Sequence, residues 1–221
     1  MKTAVYSGSF NPLHIGHLAI MKHLTQEAGF DMVYLIVSPK NPLKDSISSL
    51  SARDRYNAAV SAVNRHFGTI SLVAECGDDM PPPARGCLTE GKAGVVGTSA
   101  TKDQNKILVD DIELNMPEPH YSIRTLEALR EREPENDFTI IMGADNLACI
   151  RSWKDYARIL SEFGTAVFPR EGTDLNKTKQ DLLDENPAYK IQLLDAPLVT
   201  VSSSEIREAL SQGKDISHLL M

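Results

Sequence analysis

The sequence predicts one α/β domain built on a doubly wound, Rossmann-like parallel sheet flanked by helices. A strand, helix, strand pattern occupies about the first 37 residues, and such a unit connects two parallel strands. Residues 32–37 and 137–142 are largely apolar runs, which are typical of strands covered on both faces. Amphipathic segments then alternate with further short apolar runs, which favours helices on both sides of the sheet.

Each element is predicted from its own local pattern: apolar runs for strands, and apolar residues three or four apart for helices. Gly8 follows the first strand, Gly29 follows the first helix, and Ser122 is the expected N-cap of another helix. The expected elements, in order, are strand 3–6, helix 18–28, strand 32–37, helix 51–66, helix 122–132, strand 137–142, helix 153–163, strand 166–168, a polar helix or loop at 176–186, strand 189–193 and helix 204–210.

Residues 75–106 do not fit this alternation. The stretch contains five glycines and three prolines and has no helical or strand period beyond Val95 and Val96. It is too long for an ordinary connection between elements. We therefore expect a single domain over 1–221, with a Gly/Pro-rich surface insertion at about 75–106 and a C-terminal helical part.

Composition and charge exclude several classes of protein. Of the 221 residues, 42% are hydrophobic and 24% charged, as in ordinary globular domains. The net charge of −7 gives no general attraction for nucleic acid or an anionic membrane, so neither is an expected partner. The N-terminus turns polar too early for a signal peptide, and no apolar run is long enough to span a membrane, which predicts a cytoplasmic protein. Three scattered cysteines do not form a disulfide framework.

A first candidate site follows the first strand, in the sequence GSFNPLHIGH at 8–17. Ligands of open parallel sheets bind at the carboxyl ends of the strands, and the helix start adds free N–H groups for an anion. His14 and His17 are three residues apart, so their side chains can share one face and meet a polyphosphate. Alternatively, both histidines cap or pack the helix; a zinc site would need a third ligand, which is not spaced nearby.

A second candidate site is VSSSEIR at 201–207. Ser202 and Glu205 fit a capping box, so a purely structural role is as plausible as a functional one. In the functional interpretation, the hydroxyls of Ser203 and Ser204 and the N–H groups of the helix start hold phosphate oxygens. Arg207 lies one turn further on and can pair with the same oxygens.

Together, these two stretches resemble the paired signatures of the nucleotidylyltransferase superfamily. The stretch PEPHYSIRTL at 117–126, FTIIMGADNL at 138–147 and the following Trp153 are similar to motifs of bacterial nicotinate mononucleotide adenylyltransferases, and VFPR at 167–170 fits as well. The resemblance covers roughly 1–66 and 107–210.

The sequence departs from the family pattern at a few positions. Leu43 stands where many members have His, and His120 replaces a usual Ser. Ser122 and Ser204 stand where Thr is usual, which keeps the hydroxyl group.

The resemblance implies adenylyl transfer from ATP to the 5′-phosphate of nicotinate mononucleotide, with Mg²⁺ bridging phosphates and water and no protein metal site. The implied catalytic residues, acting on the phosphates, are His14, His17, Lys44 and Arg207. The implied ATP-binding residues are Gly8, Ser9, Phe10, Gly143, Asp145, Ser203 and Ser204. The implied mononucleotide-binding residues are Ser122, Thr125, Tyr121 and Trp153, the last by stacking on the pyridine ring. A homo-oligomer remains open.

Three alternatives stay open from the sequence. Pantetheine-phosphate adenylyltransferase shares both signatures, but the stretches at 117–126 and 138–147 argue against it. A nucleotide-binding module without turnover would not need the full set of groups aimed at a leaving group. A dinucleotide-binding dehydrogenase would carry G-x-G-x-x-G after the first strand, where this chain has Gly-Ser-Phe-Asn-Pro. Arg53 and Arg55 are expected on a solvent-exposed helix face.

Overall fold

The structure is a computed structural model that describes residues 1–39, 50–68, 106–196, 198 and 201–221. Six strands form one sheet, and every neighbouring pair is parallel. The strands are β1 (Lys2–Gly8), β2 (Met32–Val37), β3 (Ile107–Asp110), β4 (Asp137–Gly143), β5 (Thr165–Phe168) and β6 (Ile191–Leu193).

The strand order is β3-β2-β1-β4-β5-β6. The chain builds one half of the sheet outward from β1, then returns to the other side of β1 with β4. Ligands of such sheets bind where the order reverses, at the carboxyl ends of β1 and β4. The predicted Rossmann-like fold is confirmed, and its topology points to this edge as the site.

Helices cover both faces of the sheet. Those described are α1 (Ile15–Gln26), α2 (Ala52–Phe67), α3 (Ile112–Asn115), α4 (Ser122–Arg132), α5 (Ala144–Ala148), α6 (Tyr156–Arg158), α7 (Leu175–Glu185) and α8 (Ser203–Ser211), with 3₁₀ turns at Ile150–Ser152 and Ser217–Leu219 and a π-helical turn at Ile159–Phe163. None of them is long and apolar enough to cross a membrane.

The alternation of side chains along each strand divides the core into two layers. On β2, Val33 and Leu35 pack on the face shared with α1 and α2, whereas Tyr34 and Ile36 pack on the face shared with α4. All four are at most 2% exposed, which explains why β2 reads as an unbroken apolar run. Burial of this kind stabilises the fold by about 1.5–3 kcal/mol for each large side chain.

Three features differ from the sequence prediction. The edge strand β3 was not predicted, because four residues directly after an irregular stretch carry too little pattern. The predicted helix 153–163 is broken: Asp155 is left-handed with φ 52°, and Ile159–Phe163 forms a π-helical turn. Ser122 is the first residue of α4 and not its N-cap; the N-cap is Tyr121, which makes no side-chain cap.

Two predictions fall on residues that the structure does not describe. Lys44 is one of them. The proposed insertion at 75–106 is the other, since all of it except Lys106 lies outside the described ranges.

Candidate active site

The first motif forms the connection from β1 to α1. Phe10 has a φ of 43° and is only 5% exposed, because its ring packs edge-on against Tyr6, with centroids 5.4 Å apart, and against His17, at 5.1 Å. A Cβ on Gly8 would lie 3.1 Å from the Phe10 ring. Glycine at position 8 therefore lets the loop fold back tightly over the end of β1.

The two histidines cap α1. His14 is the N-cap, and its Nδ1 accepts a hydrogen bond from the backbone N–H of Gly16 at 3.2 Å. The Nδ1 of His17 accepts from the backbone N–H of His14, also at 3.2 Å. The two rings are in contact, with centroids 3.7 Å apart and planes tilted by 34°, so the predicted shared face is present. The capping interpretation left open by the sequence is thus correct for both residues.

These caps determine the protonation of the histidines. Because each Nδ1 accepts a hydrogen bond, the proton of each neutral ring lies on Nε2, which is free of the cap. Burial, with the positive charge of Arg170 adding to it, lowers the pKa of His14 to about 4. Burial also lowers the pKa of His17 well below its usual value, assisted by His14 and Arg170. At neutral pH, both rings are uncharged donors.

The second motif packs directly on the first. Ser202 caps α8 in the predicted box with Glu205. The Ser203 hydroxyl donates to the Pro12 carbonyl at 3.3 Å. Arg207 donates to the Asn11 carbonyl at 2.8 Å and to the Ser204 hydroxyl at 3.0 Å. The two ends of the sequence therefore meet beside the carboxyl end of β1.

A cavity of about 630 Å³ opens between these two motifs and the end of β4. Every residue predicted for the ATP half of the site lines it, apart from the undescribed Lys44. These residues are Gly8, Ser9, Phe10, His14, His17, Gly143, Asp145, Ser203, Ser204 and Arg207.

Gly143 lets the chain pass close to the Asp145 carboxylate and the Phe168 ring: a Cβ there would lie 2.5 Å from an Asp145 carboxylate oxygen and 3.2 Å from the ring, so the Asp145 side chain would have to move.

Arg170 also lines this cavity, a role that the sequence motifs do not predict. Its guanidinium lies 5.7 Å from the centre of the Phe168 ring, and its Nε is 3.8 Å from the Asp145 carboxylate. It is close enough to both histidines to lower their pKa values. The available signal was its position two residues after a strand, at the binding edge of the sheet.

Arg55 corrects a prediction, because it is only 4% exposed and not on a solvent-exposed face. Its guanidinium donates to the carbonyl of Ser9 and, at 2.9 Å each, to those of Ser38 and Pro39. It therefore joins the loop after β1 to the loop after β2. Helical spacing indicates this burial, because Arg55 lies one turn before the buried Ala59 on the same face of α2.

A second cavity, of about 160 Å³, lies on the other side of the β1 end. It shares Ser7, Gly8, Ser9, Ile141, Met142 and Asn146 with the larger cavity. Three of the four residues predicted for the mononucleotide line it: Tyr121, Ser122 and Trp153. The two predicted halves of the site are therefore adjacent and separate.

Thr125 is the exception. It is 2% exposed, does not line the cavity, and donates its hydroxyl to Glu113 at 2.8 Å. The same buried carboxylate accepts hydrogen bonds from Ser38 at 2.6 Å and Ser7 at 3.4 Å. The resemblance to the family motif implies Thr125 as a binding residue, but it does not show that this side chain is buried. Its contact with substrate is not supported by this geometry.

The segment that carries Trp153 is attached to α7. Arg151 Nε donates to the Glu185 carboxylate at 2.9 Å, and the hydroxyls of Tyr156 and Tyr189 donate to the same group. Residues on both sides of Trp153 are thus held by one carboxylate at the end of α7.

The sheet topology and the two adjoining cavities define an α/β protein of the Rossmann-like class, whose larger cavity is lined by two uncharged histidines and by arginines. A family model described as "Cytidylyltransferase-like" matches residues 5–77 and 95–209. The unmatched residues 78–94 lie inside the stretch predicted as an insertion.

Curated relatives extend this match over the whole chain. A probable nicotinate-nucleotide adenylyltransferase of Flavobacterium johnsoniae is 32% identical over all of this chain and 92% of its own length. That of Bacteroides thetaiotaomicron is 33% identical over all of this chain and 87% of its own. The chain belongs to the cytidylyltransferase-like family, among the nicotinate-nucleotide adenylyltransferases.

Solved structures share the fold. Plasmodium falciparum nicotinic acid mononucleotide adenylyltransferase complexed with NaAD superposes with a TM-score of 0.67, covering 98% of this chain and 88% of that one at 18% identity. A putative nicotinate-nucleotide adenylyltransferase from Vibrio parahaemolyticus gives 0.57, covering 100% of this chain and 94% of that one at 19% identity.

Proposed function

We propose that the protein transfers the adenylyl group of ATP to nicotinate mononucleotide, giving nicotinate adenine dinucleotide and pyrophosphate in NAD biosynthesis. The observation that carries this proposal is the pair of cavities that meet at Ser7–Ser9. The larger cavity is lined by groups suited to bind phosphate, and the smaller one by aromatic and hydroxyl-bearing side chains. The curated relatives support the same reaction by their names.

ATP occupies the larger cavity in this proposal. The Nε2–H groups of His14 and His17, the start of α8 and Arg207 converge on it, which suits the triphosphate. Arg170 adds a further positive charge from the end of β5. Gly143 and Asp145 lie at the end of β4, where the Asp145 carboxylate can accept from a ribose hydroxyl.

Nicotinate mononucleotide occupies the smaller cavity. Its phosphate must reach the α-phosphorus of ATP, so it lies at the shared end beside Ser7–Ser9. Its ring then points toward Tyr121, Ser122 and Trp153, with the Trp153 indole face as the platform for stacking.

The chemistry requires placement more than activation. The attacking phosphate is already anionic, so no base is needed and no covalent intermediate is implied. The protein holds two mutually repelling anions in contact and stabilises the charge that moves onto pyrophosphate. Uncharged Nε2–H donors and arginines are suited to this, because they provide hydrogen bonds where charge increases.

The residues around the phosphates fit a metal carried by the nucleotide. Among the described residues, no cluster of three His, Cys, Asp or Glu side chains could hold a metal ion. We therefore expect ATP to enter as its magnesium complex, with the ion held by phosphate oxygens and water. The metal would supply neutralisation of phosphate charge.

The direct test measures pyrophosphate release from ATP with parallel acceptors. We expect release with nicotinate mononucleotide and none with ATP alone. More rapid release with phosphopantetheine would overturn the acceptor assignment. ATP binding without turnover on any acceptor would instead support the binding-module alternative.

A further inference from the structure

The small cavity is lined by two side chains whose ring nitrogens have no hydrogen-bond partner among the described residues. These nitrogens are the buried Nδ1 of His120 and the buried Nε1 of Trp153. A buried polar group without a partner costs free energy, so such groups are rare in folded proteins unless a ligand or water satisfies them. The unpartnered His120 nitrogen in this cavity therefore indicates a ligand with an acceptor atom.

The surroundings favour an anionic acceptor. Tyr121 provides no side-chain cap for the 11-residue helix α4, so the first N–H groups of that helix remain available near the hydroxyl of Ser122. Lys154 also lines this cavity. The buried Glu113 carboxylate nearby already accepts from Ser7, Ser38 and Thr125, so its charge is partly compensated.

The two nitrogens have different geometries. The Trp153 Nε1–H lies in the plane of the indole, so a ring stacked on the indole face cannot also receive it. His120 is next to the N-cap of α4. Its Nδ1 is therefore a better partner than Trp153 Nε1 for a substituent on the stacked pyridine ring.

We propose that His120 donates a hydrogen bond from Nδ1 to the ring carboxylate of the mononucleotide, and so selects the acid over the amide. This inference rests on the proposed function, since it names the group that distinguishes two acceptors at the same site. A carboxylate offers two acceptor oxygens to converging donors, whereas a carboxamide offers one oxygen and an NH₂ that repels them. His120 is thus a specificity-determining residue that the sequence noted only as a departure from the family pattern.

The experiment compares His120→Asn with His120→Gln. The side-chain amide nitrogen of Asn can lie near the position of Nδ1, whereas that of Gln lies near Nε2. kcat/KM is measured for nicotinate mononucleotide and for nicotinamide mononucleotide at saturating ATP. We expect His120→Gln and His120→Ala to lose about 10- to 100-fold with the acid and to change little with the amide. His120→Asn should retain most of the acid preference.

Binding is read independently from the fluorescence of the single tryptophan, which lines the same cavity. The Kd of nicotinate mononucleotide should rise in His120→Gln and stay near the wild-type value in His120→Asn. Equal losses with both mononucleotides, or an unchanged acid preference in His120→Gln, would overturn the proposal. Failure of the wild-type protein to turn over both mononucleotides would overturn the proposed function instead.

Discussion

At the scale of single residues, the two histidines show how one side chain can serve folding and binding together. The Nδ1 atoms of His14 and His17 satisfy N–H groups at the start of α1, so Nε2 is the protonated nitrogen of each ring, and both residues line the cavity. Capping and phosphate binding, which the sequence presents as alternatives, use different atoms and are compatible. The cap also prevents the ring from turning, so the donor is oriented before a ligand arrives.

Removing the His17 donor should slow the reaction without unfolding the protein. We expect His17→Asn to lower kcat by about 100- to 1000-fold, because a donor to the increasing phosphate charge is lost. The Asn side-chain oxygen can still accept from the backbone N–H of His14, so the thermal unfolding temperature should stay close to that of the wild type. Steady-state turnover measured with unfolding curves checks this, and a variant with wild-type kcat would contradict the proposed role.

The histidines also predict a dependence of stability on pH. The pKa of His14 falls from its ordinary value of 6.5 to about 4 in the folded protein. Between these values the unfolded chain binds the proton more readily, so the free energy of unfolding decreases as pH falls through this window and is fully retained above it. Urea unfolding across the window measures the slope.

The matched control is His14→Asn, which keeps an acceptor for the N–H of Gly16 and does not titrate. Its unfolding free energy should depend less on pH in the same window. Bound ATP should act in the opposite direction, because nearby phosphate favours the protonated ring and raises the pKa. A slope that is identical in the variant and the wild type would show that His14 does not contribute.

At the scale of elements, the position of Trp153 depends on α7. Glu185 holds Arg151 and Tyr156, which flank the tryptophan, and its hydrogen bond raises the pKa of Tyr156 to about 12. The broken helix between 150 and 163 therefore has a defined position, given by side chains that are distant in sequence.

Glu185→Gln should loosen this segment. We expect the KM for nicotinate mononucleotide to rise by about 3- to 10-fold while the KM for ATP stays unchanged, since α7 contributes no residue to the larger cavity. Asp184→Asn is the matched control, because the hydrogen bond that Asp184 accepts among the described residues comes from Gln180 on the same exposed face. A rise in both KM values, or an equal effect of the control, would contradict a role in positioning Trp153.

At the scale of the whole molecule, most of the fold follows from local pattern. Strands β1, β2, β4 and β5 are predicted because burial on both faces leaves a clear apolar run. The sequence does not reveal β3, which has four residues, or the break at Asp155, which depends on contacts between distant segments. The site shows the same division: spacing brings His14 and His17 together, but it does not show that Arg55 and Thr125 are buried.

The arrangement of the two cavities predicts separate filling. The single tryptophan lines the smaller one only. We therefore expect nicotinate mononucleotide to change its fluorescence and ATP alone to change it little. A titration with each substrate in turn checks this, and an equal response to ATP would show that the assignment of the two cavities is wrong.

Residues 7–9 line both cavities, and this shared lining has a consequence for turnover. When the new bond forms, the adenosine half and the pyridine half become one molecule, and each half retains its contacts with its own cavity. Dissociation then requires both halves to leave together, as for any bivalent ligand on adjoining subsites. We expect the dinucleotide to bind more tightly than either substrate, so that release of the dinucleotide limits the rate of turnover. For the same reason, short linked analogues that span both cavities across Ser7–Ser9 should be effective inhibitors.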